Sequence, residues 1–166
     1  MDLKLLKKLL ETDDLKEVEH LLDVVGTEQV KEAIPLLVEF FKSTNNHQLR
    51  NQIALCLSDI GNNEVVKPII DIINNPKTLG NRGTLLYSLK PFDCSEHLDS
   101  LVHHLITGIF EVQAEVFQLI EAMNGRFPKK MLLKSIETLK DELSELERKQ
   151  NVLSDTLERL YSFKKN

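Results

Sequence analysis

The chain has 166 residues, of which 42% are apolar and 28% are charged, and its formal charge is −5. A chain of this length can bury a core without a disulfide or metal, and this composition argues against intrinsic disorder and against a membrane span. The negative charge removes the general attraction to phosphate on which nucleic-acid binding proteins rely, so we expect no nucleic-acid partner.

The N-terminal segment, Met1–Glu11, is amphipathic and predicts a cap helix. Its leucines are interrupted by lysines, so the segment lacks the continuous apolar stretch of a secretory signal, and we expect a cytoplasmic protein with no membrane contact. Cys56 and Cys94 lie far apart in the sequence and are expected to be reduced thiols.

Two apolar patterns alternate along the chain and predict helix pairs. The first pattern recurs about every 32 residues, at 49–57, 81–89 and 112–120. The second has the spacing i, i+3, i+4, i+7 of one helical face and occupies 33–40, 66–73 and 98–105. A repeat of this length indicates stacked helix pairs, because one pair cannot bury its apolar face alone.

Local signals mark where these helices begin. Asp14 and Glu17 have the spacing of a capping box, and Ser95 is placed to cap the helix at 98–105. Pro35 and Pro68 lie within second segments, so those helices either begin late or bend at the proline. Asparagine and glycine occur between the segments, and the whole pattern predicts eight or so helices and no strands.

The aligned pairs, the proline in the second helix and the pattern Ile53-Ala54-x-x-Leu57 in the first resemble the HEAT repeat of short bacterial HEAT-like proteins, over roughly residues 14 to 145. The resemblance implies an all-α, right-handed HEAT-like α-solenoid of three to four helix pairs. Gly83 inside a first helix and Gln113 in place of the repeated arginine depart from the pattern. Members of the family mostly act as protein-binding scaffolds. A few resemble lyases acting on tetrapyrrole proteins or glycosylases acting on DNA, and nothing here matches the glycosylase groove.

The C-terminal region carries a different pattern and divides the chain into helical repeats with a cap helix at 1–127 and a long heptad helix at 128–166. Leucine occupies every seventh position from Leu132 to Leu160, which is typical of a coiled coil. A wide apolar stripe in the first half of this helix is expected to cap the solenoid. A narrower seam follows, formed by Leu146, Gln150, Leu153, Leu157 and Leu160.

Three arrangements of this seam stay open. It could pair with a second copy as a homodimer, pair with a partner's helix, or fold back if the helix breaks near Gln150-Asn151. In a parallel dimer Glu142 would face Glu147 of the other chain, a like-charge pair, so an antiparallel dimer is the better prediction.

The candidate chemistry is sparse. His97, His103 and His104 lie near Cys94 and Asp99, but no second group of ligands with matching spacing exists, so we expect a solvated polar face and no metal. No nucleophile elbow, phosphate loop or zinc-protease motif occurs, so we expect no enzyme and no cofactor.

The outward face of the second helices is the candidate partner surface, since a HEAT-like stack would place it on the concave side. Its residues are Ile34, Val38, Phe41, Lys67, Asp71, Asn74, Asp99 and His103. The first three are apolar and either contact the N-terminal helix or form an exposed patch. His103 would make partner affinity weakly dependent on pH.

The sequence therefore favours a non-enzymatic adaptor or scaffold that binds a protein on the concave face, through the C-terminal helix, or both. Two alternatives stay open: an immunity-type protein that neutralises a basic toxin, and an enzyme subunit of the HEAT-like lyase kind.

Overall fold

The computed structural model describes residues 3–12, 15–125 and 127–164, and every regular element in these ranges is helical, which confirms the all-α prediction. The predicted capping box depends on Asp14, which lies outside the described residues. The α-helices are α1 (Leu3–Leu10), α2 (Leu15–Thr27), α3 (Ile34–Ser43), α4 (His47–Ile60), α5 (Val66–Ile73), α6 (Gly83–Tyr87), α7 (Leu98–Thr107), α8 (Phe110–Ala122) and α9 (Lys129–Lys164).

The chain divides into two compact units, Met1–Arg126 and Phe127–Asn166. The first contains α1 to α8 around a continuous apolar core. The second consists of α9.

In the first unit the first helices of successive pairs pack against one another: α2 on α4, α4 on α6 and α6 on α8. The equivalent central residues of the three repeated segments are Ile53, Leu85 and Val116, and all three are fully buried. The repeat in the sequence thus corresponds to a repeated core position. The third copy departs one residue later, where Phe117 is exposed although Ala54 and Leu86 are buried.

The helices that contain Pro35 and Pro68 begin late and do not bend at the proline, which is one of the two predicted alternatives. Pro35 lies in the first turn of α3, and Pro68 is the third residue of α5. The first N–H groups of a helix have no partner within it, so proline costs little there. A short 3₁₀ turn precedes each of these helices, at Lys31–Ala33 and Asn63–Val65.

The buried face of these helices follows the predicted spacing in α5 but not in α3. Val66, Ile69, Ile70 and Ile73 of α5 are all buried. In α3 the buried residues are Ile34, Leu37 and Phe41, whereas the predicted Leu36 and Phe40 are partly exposed. Two adjacent apolar faces of α3 fit the helical spacing equally well, and the apolar core encloses the one that carries Phe41.

Two local predictions need correction. Ser95 does not cap α7: the carboxylate of Asp93 accepts the Ser95 N–H at 3.0 Å and starts a 3₁₀ turn at Ser95–His97, after which α7 begins at Leu98. Gly83 is the first residue of the short α6 rather than an interior one. A Cβ atom at Gly83 would overlap the carboxylate of Glu111 in α8, but this is the far end of an exposed side chain that can move aside, so nothing in the structure requires glycine at this position.

Helix α9 is continuous over 36 residues, which corresponds to about 54 Å. It passes through Gln150 and Asn151 without a break, so the fold-back alternative, which required a break there, is excluded.

Candidate functional surfaces

The apolar part of the predicted partner surface is largely buried, so of the two alternatives for these residues the exposed patch is wrong, and Ile34 and Phe41 cannot serve as partner-binding residues. Phe41 has no exposed surface and Ile34 is buried, while Val38 is partly exposed. Ile34 and Phe41 share one core with Leu6 and Leu10 of α1, so they stabilise the fold and are unavailable to a partner.

The polar part of this surface is exposed, and we name Lys67, Asp71, Asn74, Asp99 and His103 the second-helix face. Lys67 and Asp71 form an ion pair within α5, with Nζ and Oδ1 3.0 Å apart. This pair neutralises two of the charges locally. Asp99 and His103 lie on α7, and the Asp99 carboxylate accepts the N–H of Ser100 at 2.8 Å.

Asn74 joins α5 to α7. Its Oδ1 accepts the hydroxyl of Ser100 at 2.8 Å and lies 2.8 Å from Nε2 of His104. With Oδ1 as the acceptor, Nε2 of His104 carries the proton. Asn74 therefore helps to hold two second helices together, in addition to lying on their surface.

His104 is buried, in contrast to the solvated polar face that the sequence predicted for the histidine group. Its side chain is 2% exposed, and Nδ1 has no hydrogen-bond partner. Burial lowers the pKa of His104 to about 4, with smaller contributions from the positive Arg82 and from His103. His104 is thus neutral at physiological pH.

The histidine group does not complete a metal site in the described part of the chain. The rings of His103 and His104 are 5.2 Å apart between centroids and meet edge to face. Within the described ranges no three or more His, Cys, Asp or Glu side chains are arranged to hold a metal ion.

Both cysteines are free and buried. Burial raises the pKa of Cys56 to about 12 and that of Cys94 to about 11, and nearby aspartates add to both shifts. A thiol reacts as its thiolate, so neither cysteine is activated as a nucleophile.

The seam on α9 (Leu146, Gln150, Leu153, Leu157, Leu160) is exposed along its length. Leu146 and Leu157 are each 51% exposed, Leu160 58% and Leu153 62%. Together with Lys149 and Ser154, the middle of the seam forms an open, shallow strip on the surface of α9. Contact of large apolar side chains with water is unfavourable. Burying this continuous row against another helix would lower the free energy of the system.

Charged residues flank this seam at the positions next to the apolar ones. Lys140 and Glu147 lie on one side, and Glu142 and Lys149 lie on the other. The described residues of α9 include one ion pair, between Arg148 and Glu145, and it lies away from the seam. The four flanking charges are therefore available to a second helix.

Sequence reasoning noticed a repeated arginine but missed its role. Arg50 is buried and donates to the carbonyl of Thr44 at the end of α3, and Arg82 donates to the carbonyl of Asn75 beyond α5. Lys77 donates to the carbonyl of Lys42 in the same region. Cations favour the C-terminal ends of helices because carbonyls are unpaired there. The signal was an arginine shortly after each of the second helices α3 and α5, with Gln113 in the corresponding place after α7.

Comparison with known proteins gives no match, whether to a family model, to a curated protein or to a solved structure. None of the described helices combines the length and the apolar character that crossing a membrane requires.

Proposed function

We propose that this protein is a non-enzymatic protein-interaction module, with a HEAT-like solenoid of helix pairs in its first unit, that binds another polypeptide through the seam of α9. The observation that carries the proposal is the exposure of that row of leucines on a helix in which most of the other positions are charged or polar, with Val152, Tyr161 and Phe163 as apolar exceptions near the seam. Such a face is typical of helices that pair with a second helix.

Two further observations support the proposal. The successive packing of α2, α4, α6 and α8 is the contact pattern that stacked helix pairs require. Both thiols are buried and have raised pKa values, which favours a structural role for each over a catalytic one.

The test immobilises three forms of the full chain and compares how much polypeptide each one captures. The captured polypeptide is either a second copy of the chain or a different protein. The seam variant is Leu146→Glu with Leu153→Glu. The matched control is Ser144→Glu with Asn151→Glu, which adds the same two negative charges to α9 outside the seam. We expect the unsubstituted chain and the control to retain a stoichiometric polypeptide, and the seam variant to lose it. Circular dichroism checks that all three remain helical.

Equal capture by the seam variant would contradict binding through α9. A second candidate, an immunity-type protein that neutralises a basic toxin, then becomes the better proposal, because the charge is −5 and Asp71 and Asp99 are exposed. The variant Asp71→Lys with Asp99→Lys tests it. An immunity-type partner would bind in a salt-sensitive manner and be lost in this variant, and the seam variant would still bind it.

A further inference from the structure

The charges beside the seam restrict which helix can cover it. The heptad is assigned so that Leu146 is at position d and Gln150 at position a. Position e is then occupied by Lys140 and Glu147, and position g by Glu142 and Lys149. Each side of the seam thus presents one positive and one negative residue, seven positions apart and in opposite order. A second copy running in the opposite direction presents the complementary order.

A parallel pair does not use this complementarity. There the g residue of one helix meets the e residue of the next heptad of the other, so Glu142 faces Glu147 twice. In an antiparallel pair, g residues meet g residues and e residues meet e residues, while each a residue packs against a d residue.

Three antiparallel registers place Gln150, Leu157 or Leu143 of the second copy opposite Leu146, and the register with Leu143 there places Leu160 opposite Lys129. With Gln150 opposite Leu146, Lys149 faces Lys149 and Glu147 faces Glu147, which is repulsive. With Leu157 opposite, Lys149 faces Thr156 and Glu147 faces Ser154, so no charges pair. With Leu143 opposite, Glu142 faces Lys149 and Lys140 faces Glu147, each twice by symmetry.

The register with Leu143 opposite Leu146 forms an apolar contact as long as that of the register with Gln150 opposite Leu146, with eight layers in each. Its layers pair Leu132 with Leu157, Ile136 with Leu153 and Leu143 with Leu146, again twice each. Two symmetry-related layers pair Gln150 with Leu139, so a single polar residue enters each half of the interface. The register with Gln150 opposite Leu146 also has six apolar layers of eight, and the four favourable charged contacts therefore distinguish the register with Leu143 opposite Leu146.

We propose that α9 forms an antiparallel homodimer in which Leu146 of one copy packs against Leu143 of the other. This inference rests on the proposed function, because it names a second copy as the polypeptide that covers the seam.

The first test reverses the flanking charges in the full-length protein. The variant Lys140→Glu with Lys149→Glu turns all four contacts of the proposed register into Glu–Glu pairs. We expect its dimer dissociation constant, measured by analytical ultracentrifugation, to rise at least about tenfold. The variant Glu142→Lys with Glu147→Lys is expected to behave alike. An equimolar mixture of the two should restore the dimer, because every contact is again between opposite charges.

The matched control is Lys134→Glu with Arg148→Glu. It makes the same change in net charge at positions on the opposite side of α9 from the seam, and we expect it to dimerise as the unsubstituted chain does. A parallel dimer would give another pattern, since Lys140→Glu with Lys149→Glu leaves its Glu142–Glu147 contacts unchanged and its dissociation constant unaltered.

The second test measures the register as a distance between spin labels on Ser162→Cys, a position away from the seam. The proposed register separates the two labels by about 52 Å. The registers with Gln150 or Leu157 opposite Leu146 predict about 42 Å and about 32 Å. A parallel pair places them within about 20 Å. The unsubstituted chain is labelled alongside, because its two cysteines are buried and should take up little label.

These outcomes separate the inference from the proposed function. A distance other than about 52 Å, or a dimer insensitive to charge reversal, overturns the antiparallel register while leaving binding through the seam intact. A purified chain that stays monomeric but captures a different protein through the seam also overturns the homodimer. Self-association or capture that survives Leu146→Glu with Leu153→Glu overturns both.

Discussion

At the scale of single residues, the burial of His104 links folding to pH. The pKa of His104 is about 4 in the folded chain, against an ordinary value of 6.5. Between these values the unfolded chain binds more protons, so the stabilisation is complete above about pH 6.5 and is lost as the pH falls towards 4. We expect His104→Gln to reduce the dependence of the free energy of unfolding on pH in this window, by up to about 1.4 kcal/mol per pH unit.

The measurement is urea unfolding at several pH values between 4 and 7. Glutamine at this position can still donate to Asn74 but does not titrate, so the slope with pH is more informative than the stability at any one pH. His20→Gln serves as the control, because His20 is exposed on α2. An unchanged slope in His104→Gln would show that His104 does not cause the pH dependence.

The histidines also show what a sequence pattern can and cannot establish at this scale. The spacing of Asp99 and His103 predicts one exposed face, and both are exposed. The sequence predicts the same polar surroundings for the adjacent His104, but His104 faces Asn74 of another helix pair. Spacing within a helix orders its side chains around the axis. The neighbour that buries one of them comes from tertiary packing.

At the scale of elements, Gly61 ends α4 in a conformation that suits glycine. Its φ of 70° and ψ of 29° lie in the left-handed region, and its N–H donates to the carbonyl of Ser58. A Cβ atom there would have its nearest neighbour at 3.8 Å, so the cost of a side chain is conformational and not a steric overlap with another helix. We expect Gly61→Ala to lower the free energy of unfolding by about 1 kcal/mol.

The control for this prediction is Gly61→Asn, which should cost less because asparagine tolerates the left-handed region better than alanine. Both are measured by urea unfolding at neutral pH. If alanine and asparagine were equally destabilising, the left-handed conformation would not be the cause.

The same scale shows why helices were easier to predict than their faces. The 49–57 and 81–89 segments locate α4 and α6, and the prolines locate the starts of α3 and α5. These are local signals. The choice between Phe40 and Phe41 as the buried residue of α3 depends on which side meets the core, and both fit the period. The α9 seam was visible because a heptad is a local pattern, whereas its partner is a property of another surface.

At the scale of the whole molecule, the two units differ in what stabilises them. The first encloses most of its leucines and isoleucines in a shared core, whereas the seam leucines of α9 are more than half exposed. From Leu143 to its end, α9 is exposed at every described residue, and helix propensity and pairs such as Arg148–Glu145 contribute little free energy to this part. If the seam is covered by a second copy, α9 gains its stability from association.

Association makes the melting of α9 depend on protein concentration. We expect thermal unfolding followed by circular dichroism to show a first transition whose midpoint rises as the concentration is increased, because mass action favours the dimer. A second transition, from the core of the first unit, should keep its midpoint. In Leu146→Glu with Leu153→Glu the first transition should occur at lower temperature and lose its concentration dependence, and in Ser144→Glu with Asn151→Glu it should keep it. A single transition that is independent of concentration in the unsubstituted chain would show that α9 does not depend on a second copy for its stability.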